Sequence, residues 1–270
     1  MITANAPAQE RNAGALLREW RQRRRMSQLD LALDADISQR HLSFVESGRA
    51  APSRDMLLRL AEHLAVPLRQ RNELLVAGGF APAFGERGLM HPGIKPALSA
   101  VEQVLKGHEP YPAIAVDKGW NMLLANPAAS AFLALVKEQS LLEPPINVLR
   151  LSLHPGGLAP HIVNLAEWRT HLIERLRLQL KATADPELEA LEAELTAYPA
   201  PRRANVAPWD PGANVAVPLL LRTKDRVLSF ISTITVFGTP LDITVSELAI
   251  ESFFPADEAT AAFLRLTAAA

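Results

Sequence analysis

The sequence predicts two domains of different class, an all-α domain followed by an α+β domain with an antiparallel sheet. Three observations predict it. Residues 14–78 hold five short apolar-periodic segments with helix start and stop signals and no strand pattern. Residues 79–96, "GFAPAFGERGLMHPGIKP", are rich in glycine and proline and read as a linker. Beyond them, strand-like runs and amphipathic helices follow in the order β-β-α, helices, β-β-β, which suits one sheet covered by helices. The domains are placed at 11–79 and 97–268, with the linker at 80–96.

The first helix is "GALLREWRQRRR" (14–25), with Leu16, Leu17, Trp20 and the stem of Arg24 toward the core. The second starts at Ser27, an N-cap with Asp30 three residues on, close to a capping box. Leu29, Leu31, Ala32 and Ala35 form its apolar side. After a break at Asp36, Ser38 caps "QRHLSFVES", which Gly48 stops. Ser53 caps "RDMLLRLAEHLAV", and Pro67 opens "LRQRNELLVAG", stopped by Gly78 and Gly79.

In the second domain "AIAVDKGWNMLLAN" (113–126) reads as two strands turning at Asp117–Gly119. A short helix, "ALSAVEQVL", precedes it, and "PAASAFLALVKE" follows as another. "HIVNLAEWRTHLIERLRLQLKATA" (161–184) is a long amphipathic helix and "DPELEALEAELTAY" a shorter one. Strands are expected at 214–222, 226–238 and 246–255, and "ADEATAAFLRL" closes as a helix.

The net charge of −1 conceals an asymmetry. Residues 1–80 carry 12 arginines, no lysine and 9 acidic residues, a sum of +3, so the remaining 190 sum to −4. A basic module on an acidic remainder suits nucleic-acid binding by the first part. There is no cysteine, which excludes disulfides and thiolate metal sites and fits a reducing compartment. "MITANAPAQERNAG" has no apolar signal region, and no apolar run approaches the length of a membrane span. The expectation is a soluble, cytoplasmic protein with no membrane partner.

The segment Ile37–Ser53, "ISQRHLSFVESGRAAPS", carries the functional signal. Ile37, Leu42 and Val45 can bury one side of its helix, leaving Gln39, Arg40, His41 and Ser43 outward. A recognition helix presents its N-terminal residues to base edges in the major groove. Glutamine can pair with adenine and arginine with guanine, each through two hydrogen bonds. Gln28, at the first turn of the preceding helix, can reach a phosphate.

"MSQLDLALDADISQRHLSFVESGRAAPSRDMLLRLAEHLAV" resembles the lambda-repressor-like, Xre-type helix-turn-helix. The resemblance covers 14–78 and implies base reading by Gln39, Arg40 and His41, with Ser43 and Phe44 beside them. It also implies phosphate-side roles for Gln28 and Arg49, and Ser38 at the start of the recognition helix. Two departures are Asp36, where the family often has glycine, and Phe44, where many relatives have a polar contact. Aspartate tolerates the left-handed conformation such a turn needs.

The second domain also resembles a known family. "PAIAVDKGWNMLLANPAASAFL", "NVLRLSLHPGGLAPHIVNLAEWRTHLIERLR" and "FISTITVFGTPLDITVSELAIESFFPAD" are similar to the ligand-binding domain of MmyB-like transcription regulators, over roughly 96–267. That domain is PAS-like. The resemblance implies an antiparallel sheet with Trp120, Asn126 and the long helix packed on it, and a small, apolar, fatty-acid-like ligand. On strand 226–236, Ser and Thr alternate with apolar residues, and hydroxyls on an inner face can orient a ligand. The candidate ligand contacts are Trp120, Asn126, Trp168, Phe230, Thr233 and Thr235, although Trp168 also reads as core.

Enzyme motifs are missing: there is no G-x-S-x-G, no Walker A and no H-E-x-x-H. His154, His161 and His171 are spaced by 7 and 10, off a single helical face, so no metal site is expected. Asp257 and Glu258 read as helix N-terminal charges. The expectation is a non-enzymatic transcription regulator without cofactor, a homodimer on double-stranded operator DNA, with affinity tuned by the ligand. The competing reading is a constitutive DNA-binding protein whose second domain only dimerises or binds a protein.

Overall fold

The computed structural model describes residues 12–199 and 216–268. Asn214 and Val215, the start of the strand expected at 214–222, lie outside the described residues, as do residues 1–11 of the N-terminal stretch. The chain divides into two compact units, the first holding residues up to Glu86 and the second most of the remainder.

The first unit has five helices: α1 (Ala13–Arg23), α2 (Gln28–Asp34), α3 (Gln39–Glu46), α4 (Arg54–His63) and α5 (Leu68–Ala77). Four begin at a side chain that accepts a backbone N–H, namely Asn12, Ser27, Ser38 and Ser53. Ser27 and Asp30 complete a reciprocal capping box. The hydroxyl and amide of Ser27 hold the Asp30 carboxyl below its usual range. Asp36 adopts φ 51°, so the α2–α3 turn takes the left-handed residue that aspartate tolerates.

The core of this unit gathers Leu17, Leu31, Leu42, Leu57, Leu60 and Leu75, all essentially without solvent contact. Each such side chain contributes about 1.5–3 kcal/mol by leaving water. Ile37 is partly buried against the same cluster. One expectation needs correcting. Leu29 does not join the apolar side of α2 but is 49% exposed, because Leu31, Ala32 and Ala35 already fill the inward stripe. Arg24 lies half-buried over the Trp20 ring and donates to the carbonyls of Leu64 and Ala65, while the buried arginine of α1 is Arg21. At Gly14, α1 crosses α3 so closely that a Cβ would lie 2.0 Å from the Val45 carbonyl oxygen.

The second unit begins with α6 (Lys95–Gly107), β1 (Ala113–Val116), β2 (Met122–Ala125) and the short α7 (Ser130–Leu133). Then come α8 (Val148–Leu153), α9 (Leu165–Thr183) and α10 (Pro186–Ala197). It closes with β3 (Leu219–Arg222), β4 (Val227–Val236), α11 (Ile243–Ser246), β5 (Ala249–Pro255) and α12 (Glu258–Ala268). The five strands form one antiparallel sheet in the order β2-β1-β5-β4-β3. This is the α+β sheet domain that the sequence predicts. The helix expected from Pro127 shortens to one turn, and α8 was not anticipated, since six residues are too few to show a helical period.

The strand period of two divides the core. Ala113, Ala115 and Ile250 face Val101 and Leu105 of α6. Ile114, Val116, Phe230 and Phe253 face the opposite way, into the larger core with Leu149, Leu151, Trp168, Leu172 and Leu176 of α8 and α9. That second face carries the cavity described below.

Candidate nucleic-acid interface and ligand cavity

Helix α3 is fixed from one side and open on the other. Leu42 and Val45 are buried, and Glu46 is anchored by charge. Arg21 grips the Glu46 carboxylate with two parallel bonds, Nε to Oε1 at 2.7 Å and Nη2 to Oε2 at 2.8 Å. Arg21 Nη1 donates further to the Met26 carbonyl. The hydrogen bond to Glu46 raises the Arg21 guanidinium above its already high pKa, against the opposing effect of burial. A carboxylate at a helix C-terminus is disfavoured by the helix dipole, so the paired guanidinium is what makes this position tolerable.

The expected DNA contacts distribute around this anchor. Gln39 and Arg40 are exposed, and His41 and Ser43 are partly exposed. Ser38 Oγ accepts the His41 N–H at 3.1 Å, so the hydroxyl's lone pair serves the helix and its O–H remains a donor. Gln28 Nε2 donates to Glu46 Oε2 at 2.8 Å, tying the first turn of α2 to the same carboxylate. Its second amide hydrogen is the one that can reach outward. Arg49 is exposed beyond Gly48, which adopts φ 74°. The guanidinium carbons of Arg40 and Arg49 lie 5.4 and 5.9 Å from the Phe44 ring centre. Both arginines therefore gather on one half-buried ring, a cation–π arrangement at the position where many relatives have a polar contact.

Within the second unit a cavity of about 60 Å³ opens between the inner sheet face and α8 and α9. Its walls are apolar, from Ile114, Met122, Phe132, Leu149, Leu158 and Phe253 among others. Its polar groups are Ser152, the Trp168 indole, Arg175 and Glu251.

Of the expected ligand residues, Trp168 lines the cavity, with its indole N–H donating to Ser152 Oγ at 3.0 Å. Trp120 sits behind the wall, at φ 65°, and Arg175 stacks 4.4 Å over its ring. Its N–H donates to Gln179 Oε1 at 2.7 Å. Phe230 is fully buried and edge-on to the wall residues Phe132 and Phe253, one layer back. Asn126 is used up by the fold: it accepts from Ala113 and Ala129 N–H and donates to the carbonyls of Leu105 and Tyr111. Thr233 and Thr235 do not reach the cavity. Ser232 pairs with Phe253 and Ile234 with Glu251, so the even-numbered residues of β4 share the cavity face and both threonines stand exposed on the other.

Arg175 and Glu251 were not singled out from sequence. Their signals were present: Arg175 interrupts the apolar stripe Trp168, Leu172, Leu176, and Glu251 sits between Ala249 and Phe253 on the inward phase of β5. His171, one turn before Arg175, has its pKa lowered, first by burial and then by the Arg175 charge. Asp257 accepts the Thr260 N–H at 2.7 Å as a helix cap. Among the described residues no group of three or more His, Asp or Glu could hold a metal ion, and no helix is long and apolar enough to cross a membrane.

Comparison with known proteins places both units. The model of the MmyB-like transcription regulator ligand binding domain matches residues 98–266, and that of the helix-turn-helix matches 17–70. No curated protein matches the sequence. Among solved structures, the clp gene regulator ClgR from Corynebacterium glutamicum is similar at 23% identity, over 39% of this chain and 99% of that one, with a TM-score of 0.23.

Proposed function

We propose a mechanism for a chain that belongs to the MmyB-like transcription regulators: the first unit reads an operator through α3, and a small apolar molecule in the second unit sets how tightly it does so. The chain is a DNA-binding transcription regulator with a helix-turn-helix domain and a ligand-binding domain. The residue roles and the ligand are our reading. Gln39, Arg40, His41 and Ser43 meet base edges, while Gln28, Ser38 and Arg49 meet phosphates. A fatty-acid-like ligand enters the cavity beside Trp168, with Trp120 and Phe230 supporting its walls.

One observation carries the DNA reading. The buried residues of α3 are Leu42, Val45 and Glu46, and its N-terminal Gln39 and Arg40 are left exposed. A helix held this way presents donors to a groove without losing its mount. The almost wholly apolar wall of the cavity supports the ligand class. As a homodimer on a near-palindrome, two copies sum their few base contacts, and a ligand that prefers one geometry shifts the population toward or away from the matching half-site spacing.

The test begins with selection of bound sequences from random duplexes by the full chain. Fluorescence anisotropy on the selected operator then measures affinity with and without decanoate. The reading expects a defined, two-fold-related motif and an affinity that changes with decanoate. No enriched motif overturns the DNA assignment. An enriched motif whose affinity ignores decanoate and other apolar acids favours the constitutive regulator instead.

A further inference from the structure

Strand β4 runs on past the end of the strand beside it. β3 pairs with it only over Val227–Phe230, whereas β5 pairs with it from Phe230 to Val236. The outer edge of Ile231–Val236 therefore lies beyond β3. Ser229 fixes which backbone groups point that way. Its N–H donates to Thr260 Oγ1 and its carbonyl accepts the Ala256 N–H, both on the β5 side. In an antiparallel ladder the N–H and C=O of one residue point to the same side, and that side alternates along the strand. Ile231, Thr233 and Thr235 thus exchange bonds with β5, while Ser232, Ile234 and Val236 direct theirs to the open edge. Among the described residues no hydrogen bond reaches these edge groups.

Natural proteins blunt such an edge with charge, proline, a bulge or a covering element. Here those devices are missing among the described residues. No charged residue occurs from Val227 to Leu241, 231–236 holds no proline, and the ladder with β5 runs without a register shift. The side chains are open as well. Ile234 is 41% and Val236 61% exposed on one face, and Ile231, Thr233 and Thr235 are exposed on the other.

We infer that this edge is the dimer interface of the second unit, taken by β4 of a second copy running antiparallel about a two-fold axis at Ile234. The inference rests on the homodimer reading above and supplies the surface that reading needs. The edge is complementary to itself. With Ile234 opposite the same residue of the second copy, Ser232 falls opposite Val236 and Thr233 opposite Thr235. The outward-facing residues then exchange both N–H···O bonds with their mates, as in a hydrogen-bonded antiparallel pair. Isoleucines meet at the axis, threonines meet beside it, and no like charges are opposed. Strand length agrees too. Phe230, which falls opposite Gly238 of the second copy, is already paired with Leu219, and the chain bends at Gly238 and Thr239. The incoming strand therefore leaves the edge where β3 begins. Each copy covers the edge of the other, so the contact closes as a dimer and does not propagate into a fibre.

The chain has no cysteine, so a single introduced one reports contact between copies without background. Ile234→Cys sets two thiols on the axis with Cα atoms about 5.5 Å apart, within disulfide range. Mild oxidation of the full chain is expected to give a linked dimer by mass spectrometry. Val227→Cys, on the part of β4 already paired with β3, gives none. Sedimentation equilibrium reads the reversible dimer: Ile234→Lys weakens it at least about tenfold, and Val227→Lys leaves it within about twofold. A chain that sediments as a dimer yet yields no linked Ile234→Cys product has its interface elsewhere, which overturns the inference and leaves the homodimer reading standing. Linkage of Ile234→Cys to a different protein in cell extract, with no linked dimer, gives the edge to another partner and also overturns it. A chain that stays monomeric both free and on operator DNA removes the homodimer reading, and the inference with it. The cysteine comparison decides the matter even where Ile234→Lys fails to fold.

Discussion

Arg21 and Glu46 meet through two hydrogen bonds of 2.7 and 2.8 Å, with both side chains nearly closed to solvent. They join the last turn of α1 to the last residue of α3. The pair is the mount of α3, and Gln28 is tied to the same carboxylate.

Removing one partner strands a buried charge. Arg21→Met is expected to destabilise the first unit by about 3–5 kcal/mol. The double variant Arg21→Met/Glu46→Leu recovers much of that, because no charge is left unpaired. Urea unfolding followed by circular dichroism measures both. A single variant that costs less than the double one contradicts the assignment.

Arg40→Ala should relax sequence preference at one position of the half-site, at a cost of about 1–3 kcal/mol. Gln28→Ala should weaken all sequences nearly equally. Phe44→Leu keeps the packing volume but removes the ring on which Arg40 and Arg49 rest, so it weakens binding while melting changes little. Anisotropy titrations on matched and mismatched duplexes separate the three patterns, and identical behaviour of all three variants would contradict the roles given to them.

Gly14→Ala places a methyl group 2.0 Å from the Val45 carbonyl oxygen, where backbone has to move. Overpacking of this kind costs about 1–3 kcal/mol. In a unit of this size that is a fall in Tm of at least about 4 °C. Operator affinity falls with it, because the displaced element is α3. Unchanged melting would mean that the two helices are less tightly apposed than the structure places them.

His171 gives a pH dependence of definite sign. Burial and the Arg175 charge hold its folded pKa below the value of about 6.5 that it has in the unfolded chain. The unfolded chain therefore binds the proton more readily, and stability is full above about pH 6.5 and declines as the pH falls toward the lower folded value. His171→Gln removes this part of the slope. Thermal melts of both proteins between about pH 5 and pH 8 should diverge as the pH falls, and parallel curves would falsify the claim.

Asn126→Ala removes four hydrogen bonds to backbone groups at once: the N–H groups of Ala113 and Ala129 and the carbonyls of Leu105 and Tyr111. Ala129 N–H and the Leu105 carbonyl keep a backbone partner. The expected loss is at least about 1–3 kcal/mol, with ligand affinity unchanged per folded molecule. Differential scanning fluorimetry paired with calorimetry reads both quantities.

The first unit was almost fully legible because its signals are local. Ser27, Ser38 and Ser53 cap their helices through side chains three residues from their partners, and Asp36 turns the chain alone. What escaped was the pairing of Arg21 with Glu46, 25 residues apart, inside a run of arginines that reads as solvated surface. The second unit shows the same division. Its strands follow from alternation, yet alternation does not say which phase faces inward. The hydroxyls of Thr233 and Thr235 made their phase look like a pocket lining, while pairing with β5 turned it outward. Asn126 is a ligand candidate through the family resemblance, and its four partners, on three separate segments, leave no local signal in the sequence. Arg175 was hidden by its company, a lone charge on an apolar helix face whose stacking partner, Trp120, is 55 residues away.

Seven of the eight residues of α3 divide into two sets, with the half-buried Phe44 between them. Leu42, Val45 and Glu46 are buried and hold the helix to the protein, whereas Gln39 and Arg40 are exposed and His41 and Ser43 partly so. If these four positions read the operator as proposed, its preference can be rewritten there with little effect on stability. A library randomised at 39, 40, 41 and 43 alone should remain largely folded, which makes this short helix a natural place to install new DNA addresses.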